Sequence, residues 1–203
     1  MKRNYRLEME REINSFEKDG RVPSLLLHCC CAPCSSSVLE QLTDHFYVTV
    51  YFYNPNISSE EEYIKRKREL ERLIAEQPAK RSVAFTSGPY EPEKFEAIAA
   101  GLEDEPERGS RCHRCYRLRL EAAGREASRI GADYFTTTLS VSPLKDAEVL
   151  NSIGASVSEM CHVPYLFSDF KKKDGFLRSI RLSEEYHLYR QNYCGCRYSK
   201  RQQ

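Results

Sequence analysis

Short apolar runs alternate with longer amphipathic stretches along this chain, and the alternation predicts strands separated by helices. Residues 23–29 are apolar, brief and bounded by turn signals, as a buried strand requires. Residues 47–53 are rich in β-branched and aromatic side chains and stop at Asn54-Pro55-Asn56. A third strand is expected at 82–86, a fourth at 134–139 and a short fifth within Cys161-His162-Val163-Pro164. A charged helix covers 5–18 and ends at Gly20, and the hydroxyls of Ser35, Ser36 and Ser37 offer caps for a second that runs to Asp44. Ser58 and Ser59 followed by Glu61 and Glu62 open a long helix through Glu76. Further helices are expected at 92–101, 145–153 and 177–188, and over 112–131 with Leu118, Ala122, Ala127 and Ile130 towards the core.

Strands alternating with helices imply an α/β fold: a parallel sheet with helices on both faces. One domain spanning 1–203 is expected, with 1–22 as an N-terminal extension and 170–203 as a basic, aromatic-rich, helical C-terminal segment. Right-handed crossovers place the ends of the first and fourth strands on one edge of the sheet, and the crevice outside the carboxyl ends of the strands is where open α/β sheets bind ligands. Both ends are chemically loaded, with the Cys29–Cys34 run on one and Thr136, Thr137, Thr138, Ser140 and Ser142 on the other.

Composition narrows the function. The net charge is +1, but from Lys171 onward nine Lys/Arg face three acids, so that segment is +6 and the rest −5. A polyanion-facing surface and a solvated tail both account for that asymmetry. No run approaches the length of a membrane span and 1–21 lacks the apolar core of a signal peptide, so a cytoplasmic protein without a membrane partner is expected. In that reducing compartment nine cysteines argue for metal or redox chemistry over a disulfide framework.

The cysteines fall into groups: Cys30-Cys31-x-x-Cys34, Cys112-His113-Arg114-Cys115 and Cys194-Gly195-Cys196. A Cys-x-x-Cys turn lets two thiolates grip one metal centre, and two such pairs complete a four-thiolate site; spacing leaves zinc and iron–sulfur both open. Cys194 and Cys196 could close only a small, strained and therefore reducible ring, which Gly195 would permit, or could serve as two more ligands. Cys29 and Cys161 lie among apolar neighbours as buried packing. His28 and His113 flank the thiols, and His28 reads best as a packed structural histidine. Lys65-Arg66-Lys67-Arg68 alternates with glutamates at helical spacing, a solvated salt-bridged face. In Lys171-Lys172-Lys173 and in Tyr189-Arg190 with its neighbours, cations interleave with aromatic rings, the mixture that phosphate pairing and base stacking need.

Taken together, the chain resembles the QueH family, the cobalamin-independent epoxyqueuosine reductases. The resemblance rests on His28-x-Cys30-Cys31-Ala32-Pro33-Cys34, Tyr53-Asn54-Pro55-Asn56-Ile57 with Glu62-Tyr63 and Arg66, and Arg111-Cys112-x-x-Cys115-Tyr116-x-x-Arg119-Leu120. It continues through Thr136-Thr137-Thr138-Leu139-x-x-Ser142-Pro143, Phe170-Lys171-Lys172-Lys173-Asp174-Gly175 and Tyr189-Arg190-Gln191-Asn192-Tyr193-Cys194-Gly195-Cys196, covering about residues 24–199. It implies a Rossmann-like, nucleotide α-hydrolase-like sheet and reduction of epoxyqueuosine to queuosine at the wobble position of a tRNA with a GUN-type anticodon. It also implies a [4Fe-4S] cluster, an additional iron ion and an unidentified electron donor. By position, Cys30, Cys31, Cys112 and Cys115 become cluster ligands, Cys194 and Cys196 a redox-active pair, and Cys34 and Asp146 candidates for the extra iron or its surroundings. Lys171, Lys172, Lys173, Tyr189 and Arg190 become substrate contacts. The family usually places an aromatic residue where Leu144 stands.

Two rival readings keep different chemistry. A tRNA-thiolation enzyme would need ATP and a phosphate-binding loop, and no Ser-Gly-Gly-x-Asp-Ser loop follows the first strand. A zinc-stabilised RNA-binding protein would leave Cys194-Gly195-Cys196 without a role.

Overall fold

A computed structural model describes residues 3–200. Residues 1–2 of the expected extension and 201–203 of the basic tail lie outside the described residues. The first strand, β1 (Ser24–Cys29), is buried on both sides because it lies inside a parallel sheet. It pairs in parallel with β2 (Tyr47–Phe52) and β4 (Tyr134–Thr137), while β3 (Ala84–Ser87) forms the edge beyond β2, giving the order β3-β2-β1-β4. Period-two alternation sorts β1 between two cores. Leu25, Leu27 and Cys29 join the core of α1 (Tyr5–Lys18), α2 (Ala32–Leu42) and α3 (Glu60–Glu76). Leu26 joins Phe135 and the apolar faces of α5 (Ser110–Ile130) and α6 (Ala147–Cys161). The short α4 (Pro92–Ala99) packs on α5, and α7 (Gly175–Glu185) packs on α2. A single turn, α8 (Arg197–Lys200), ends the described chain. No described helix is long and apolar enough to cross a membrane.

The α/β class and the parallel sheet agree with the expectation, β1 and β4 prove to be neighbours, and several boundaries move for identifiable reasons. The second helix begins at Ala32, not at the serines: Cys31 is its N-cap in extended backbone and Pro33 occupies the first turn, where its missing N–H costs nothing. Ser35 and Ser36 instead turn their hydroxyls back onto the carbonyls of Cys31 and Pro33 at 2.8 and 3.0 Å. Ser59 does cap α3, accepting from Glu62 N at 3.3 Å. The expected fifth strand is absent from the described residues. Helix α6 runs to Cys161, His162 closes it with φ +55°, and only an isolated bridge joins Tyr165 to Phe135, since Pro164 has no N–H to extend a ladder. Gly154, one residue past the expected end of this helix, lies inside α6, where the Tyr165 ring leaves no room for a Cβ. On α5 the core face is carried by Cys115, Tyr116, Arg119, Leu120, Ala123 and Ala127, whereas Ile130 is exposed and Leu118 and Ala122 are half-buried.

Candidate functional site

The carboxyl ends of β1 and β4 form the floor of the site. His28, the penultimate residue of β1, is fully buried. Its Nε2 faces the carbonyl of Tyr53 at 3.0 Å and its Nδ1 faces Thr137 Oγ1 at 2.9 Å. A carbonyl only accepts, so Nε2 carries a proton. Burial first, and the nearby Arg119 guanidinium second, push its pKa down to about 3. It ties β1, β2 and β4 together directly beneath the cysteines.

Cys30 and Cys31 leave β1 and Cys34 follows one turn into α2, so a strand end and a helix start converge three thiols. Their sulfurs all lie within 4.8 Å of one another, with Cys30 and Cys31 3.7 Å apart. Two thiolates on one tetrahedral metal, each bonded at about 2.3 Å, stand about 3.8 Å apart. The spacing therefore suits a soft metal centre. Hydrogen bonds from Cys31 and Cys34 hold the Cys30 pKa well below the usual thiol value, with Arg119 and Thr138 adding to them. Those same bonds raise the thiols of Cys31, to about 12, and Cys34.

A cavity of about 340 Å³ opens over this group, within the range of small-molecule sites. Cys30, Cys31, Cys34 and Cys194 line it together with Leu139, Val141, Pro143, Leu144 and Phe176. Of the cations that also line it, three are buried: Arg66, Arg119 and Lys145, at 3%, 1% and 7% exposed. Burial works against the Lys145 ammonium, but Cys194, Tyr116 and Glu107 outweigh it and raise its pKa. Lys145 donates to Glu107 at 3.1 Å and Arg66 donates from Nε to Glu62 at 2.7 Å.

The remaining expected site residues divide. Cys115 and Cys196 share a small buried cluster with Phe95, Ala99 and Tyr198, while Cys112 packs half-buried against the second core. These three do not line the cavity, and the thiols of Cys112 and Cys115 are not grouped with those of Cys30, Cys31 and Cys34. Burial raises Cys115 to about 12 and also raises Cys112 and Cys196. All nine cysteines are free thiols, Cys194 and Cys196 included. The turn between those two puts Cys194 on the cavity and Cys196 in the apolar cluster, with Gly195 at φ +112°.

Asp146 accepts from the backbone N–H of Glu148 and Val149 as the N-cap of α6. It lines a neighbouring depression with Arg3, Arg108, Asp169, Lys171 and Lys172, not the thiol cavity. Lys171 pairs with Asp169 at 2.7 Å, and Lys173 pairs with Glu10. Tyr189 is held on α3, donating its hydroxyl to Glu62 and its N–H to Glu69, with the Lys65 ammonium 3.6 Å from its ring centroid. Arg190 lines the cavity and lies over the Phe176 ring.

Arg66 and Arg119 stand in the motifs already quoted, but nothing in the sequence marked them or Lys145 as buried. One signal was available: Arg111, Cys115 and Arg119 recur every four residues, which puts both arginines on the thiol face of α5.

Residues 25–202 match the family model described as "Epoxyqueuosine reductase QueH". A Streptococcus pyogenes protein named epoxyqueuosine reductase QueH is 41% identical over 98% of this chain and 79% of its own length. Its namesake in Staphylococcus epidermidis is 42% identical over 95% of this chain and 83% of that one, and one in Thermotoga maritima is 34% identical over 87% and 90%. Among solved structures, NMN synthetase from Francisella tularensis covers 96% of this chain and 77% of its own at a TM-score of 0.48 and 9% identity. The fold assignment rests instead on the sheet order itself. Similarity of this extent, over residues 25–202 and at 41–42% identity across most of both chains, makes the chain a member of the QueH family of epoxyqueuosine reductases.

Proposed function

We propose that this protein reduces the epoxide of epoxyqueuosine in tRNA to the alkene of queuosine, in the cavity where Cys30, Cys31, Cys34 and Cys194 meet. That cavity is the observation that carries the reading: a nucleoside-sized space with a soft-metal donor set on its floor. The donors suit iron–sulfur ligation, with Cys30 and Cys31 as two ligands, Cys112 and Cys115 as the other two, and Cys34 beside an additional iron. Asp146 is the other candidate for the surroundings of that iron, through the segment it shares with Lys145. When bound, a [4Fe-4S] cluster would supply single electrons and the additional iron a Lewis acid for the epoxide oxygen.

The chain's own groups would then divide the work. Leu139, Val141, Pro143, Leu144 and Phe176 exclude water from the base. Lys145, held protonated, supports negative charge that develops on the opening oxygen. Arg190 and the aromatic segment from Tyr189, with Lys171, Lys172 and Lys173 beyond the neighbouring depression, would hold the RNA around a splayed wobble nucleotide of a GUN-type anticodon. Loss of the epoxide oxygen as water consumes two electrons and two protons, which the Cys194 and Cys196 thiols release on forming a disulfide. An electron donor would restore the dithiol. Because Cys196 faces the apolar cluster, the Gly195 turn must reorganise for that bond to close.

The test is direct. Anaerobically reconstituted protein with a reductant is incubated with epoxyqueuosine-containing tRNA, and the digested nucleosides are weighed by mass spectrometry. Queuosine, lighter than the substrate by one oxygen, is the expected product. Unchanged epoxyqueuosine with iron-loaded protein would overturn the reading.

A further inference from the structure

The cations around the cavity are not equally compensated. Arg66 has Glu62 and Lys145 has Glu107. Arg119 is the most deeply buried of the three, yet among the described residues it pairs with no carboxylate. Its Nη2 donates to Asn54 Oδ1 at 2.6 Å, and its Nε is buried without a hydrogen-bond partner. Asn54 donates from Nδ2 to the carbonyl of Cys29 at 2.9 Å, which fixes its amide with the oxygen towards Arg119. The Asn54-Pro55-Asn56 turn therefore does more than stop β2: it aims a guanidinium.

A guanidinium cannot shed its charge, and a buried charge must be paired. The groups that favour the charged form of Arg119 against burial are Cys115, Cys30 and Cys194, one from each of the three cysteine groups. Geometry places it there as well: Arg119 lines the cavity with Cys30, Cys31, Cys34 and Cys194, and it follows Cys115 by one turn on the buried face of α5.

We propose that Arg119 is the counter-charge of the thiol centre: a positioning residue that fixes the centre's negative charge and sets how readily it accepts an electron. This rests on the reading that the thiols hold an iron–sulfur group. Each added electron makes such a centre more negative, and a fixed cation in a dry, low-dielectric setting favours the reduced form. Arg66 and Lys145 do less because their carboxylates already offset them.

The experiment compares wild type with Arg119→Met, Arg119→Lys and Asn54→Asp, each reconstituted anaerobically with iron and sulfide. Iron and sulfide per chain are counted, and the midpoint potential is read by dye-linked redox titration. Arg119→Met is expected to shift the reduction equilibrium at least tenfold towards the oxidised form, about 59 mV for one electron. Asn54→Asp, which sets a carboxylate against the guanidinium, moves it the same way, and Arg119→Lys stays close to wild type. Loaded Arg119→Met and Asn54→Asp with the wild-type midpoint would overturn the proposal. Should the neutralising variants fail to load, loading retained in Arg119→Lys supports the charge, and loading lost in all three overturns it. Wild type that takes up neither iron nor sulfide would strike the underlying reading instead.

Discussion

Arg66 donates from Nη1 to the carbonyl oxygen of Cys194 at 3.3 Å, joining α3 to a residue 128 positions later in the chain. The bond places the Cys194 thiol on the cavity wall by its backbone. Asn56 Nδ2 supports the same carbonyl at 3.5 Å, and Ser58 N donates to the carbonyl of Gly195 at 3.0 Å. Arg66→Met removes this anchor and leaves Glu62 without its cation, held only by the Tyr189 hydroxyl. It is expected to cost about 3 kcal/mol of stability, the scale for breaking a buried pair. Turnover should fall at least tenfold while iron per chain stays unchanged; chemical denaturation, metal analysis and single-turnover assays check the three parts.

Gly195 is the only residue type that suits its position. Its φ of +112° is strained for any L side chain, and a Cβ there would stand 3.0 Å from Arg66 Nη1 and 3.2 Å from Ile57 Cγ1. Gly195→Ala is expected to lose about 1–3 kcal/mol and to misplace both Cys194 and Cys196. Metal content should match wild type and queuosine formation should not.

The ligand and redox assignments separate cleanly by variant. Cys112→Ala is expected to lose the iron and sulfide that wild type binds, and turnover with them. Cys196→Ala keeps the metal but loses turnover. Metal analysis beside a queuosine assay distinguishes the pair.

Acid should loosen the segment that carries Tyr189. Glu69 accepts from Arg72 and from Tyr189 N, bonds that hold its carboxyl below the usual range, led by Arg72. A carboxylate depressed in the fold adds stability above its unfolded pKa and loses it as pH falls through the folded one. Wild type should therefore lose more stability than Glu69→Gln between about pH 5 and pH 3. Urea midpoints for both proteins across that window measure the difference, and equal losses would contradict it.

Packing away from the thiols supplies a control. Gly154→Ala drives a methyl against the buried Tyr165 ring, an overpacking worth about 1–3 kcal/mol. Its thermal midpoint should drop while iron per chain and midpoint potential stay at wild-type values.

The strands were legible because β1 and β2 are short apolar runs closed by turn residues, and the thiol groups were legible because cysteine spacing is distinctive. Helix starts were less so. Ser35, Ser36 and Ser37 have the chemistry of caps, yet Pro33 moved the start upstream and left the serines buried against their own helix. The buried cations escaped for a different reason. Arg66 lies in a run of alternating charges and does make the expected i,i+4 pair with Glu62, but the C-terminal segment covers it, a tertiary fact without local sequence trace. Asp146 reads equally as a helix cap or a site carboxylate, and the cap is the role its bonds with the backbone of Glu148 and Val149 display.

The most direct measurement of the central claim is queuosine formed per chain by anaerobically reconstituted wild type and Cys31→Ala on the same epoxyqueuosine-containing tRNA, with iron and sulfide counted on both. The account predicts a loaded, active wild type and a Cys31→Ala protein that loses both metal and product. Full queuosine formation by a metal-free Cys31→Ala protein would contradict it.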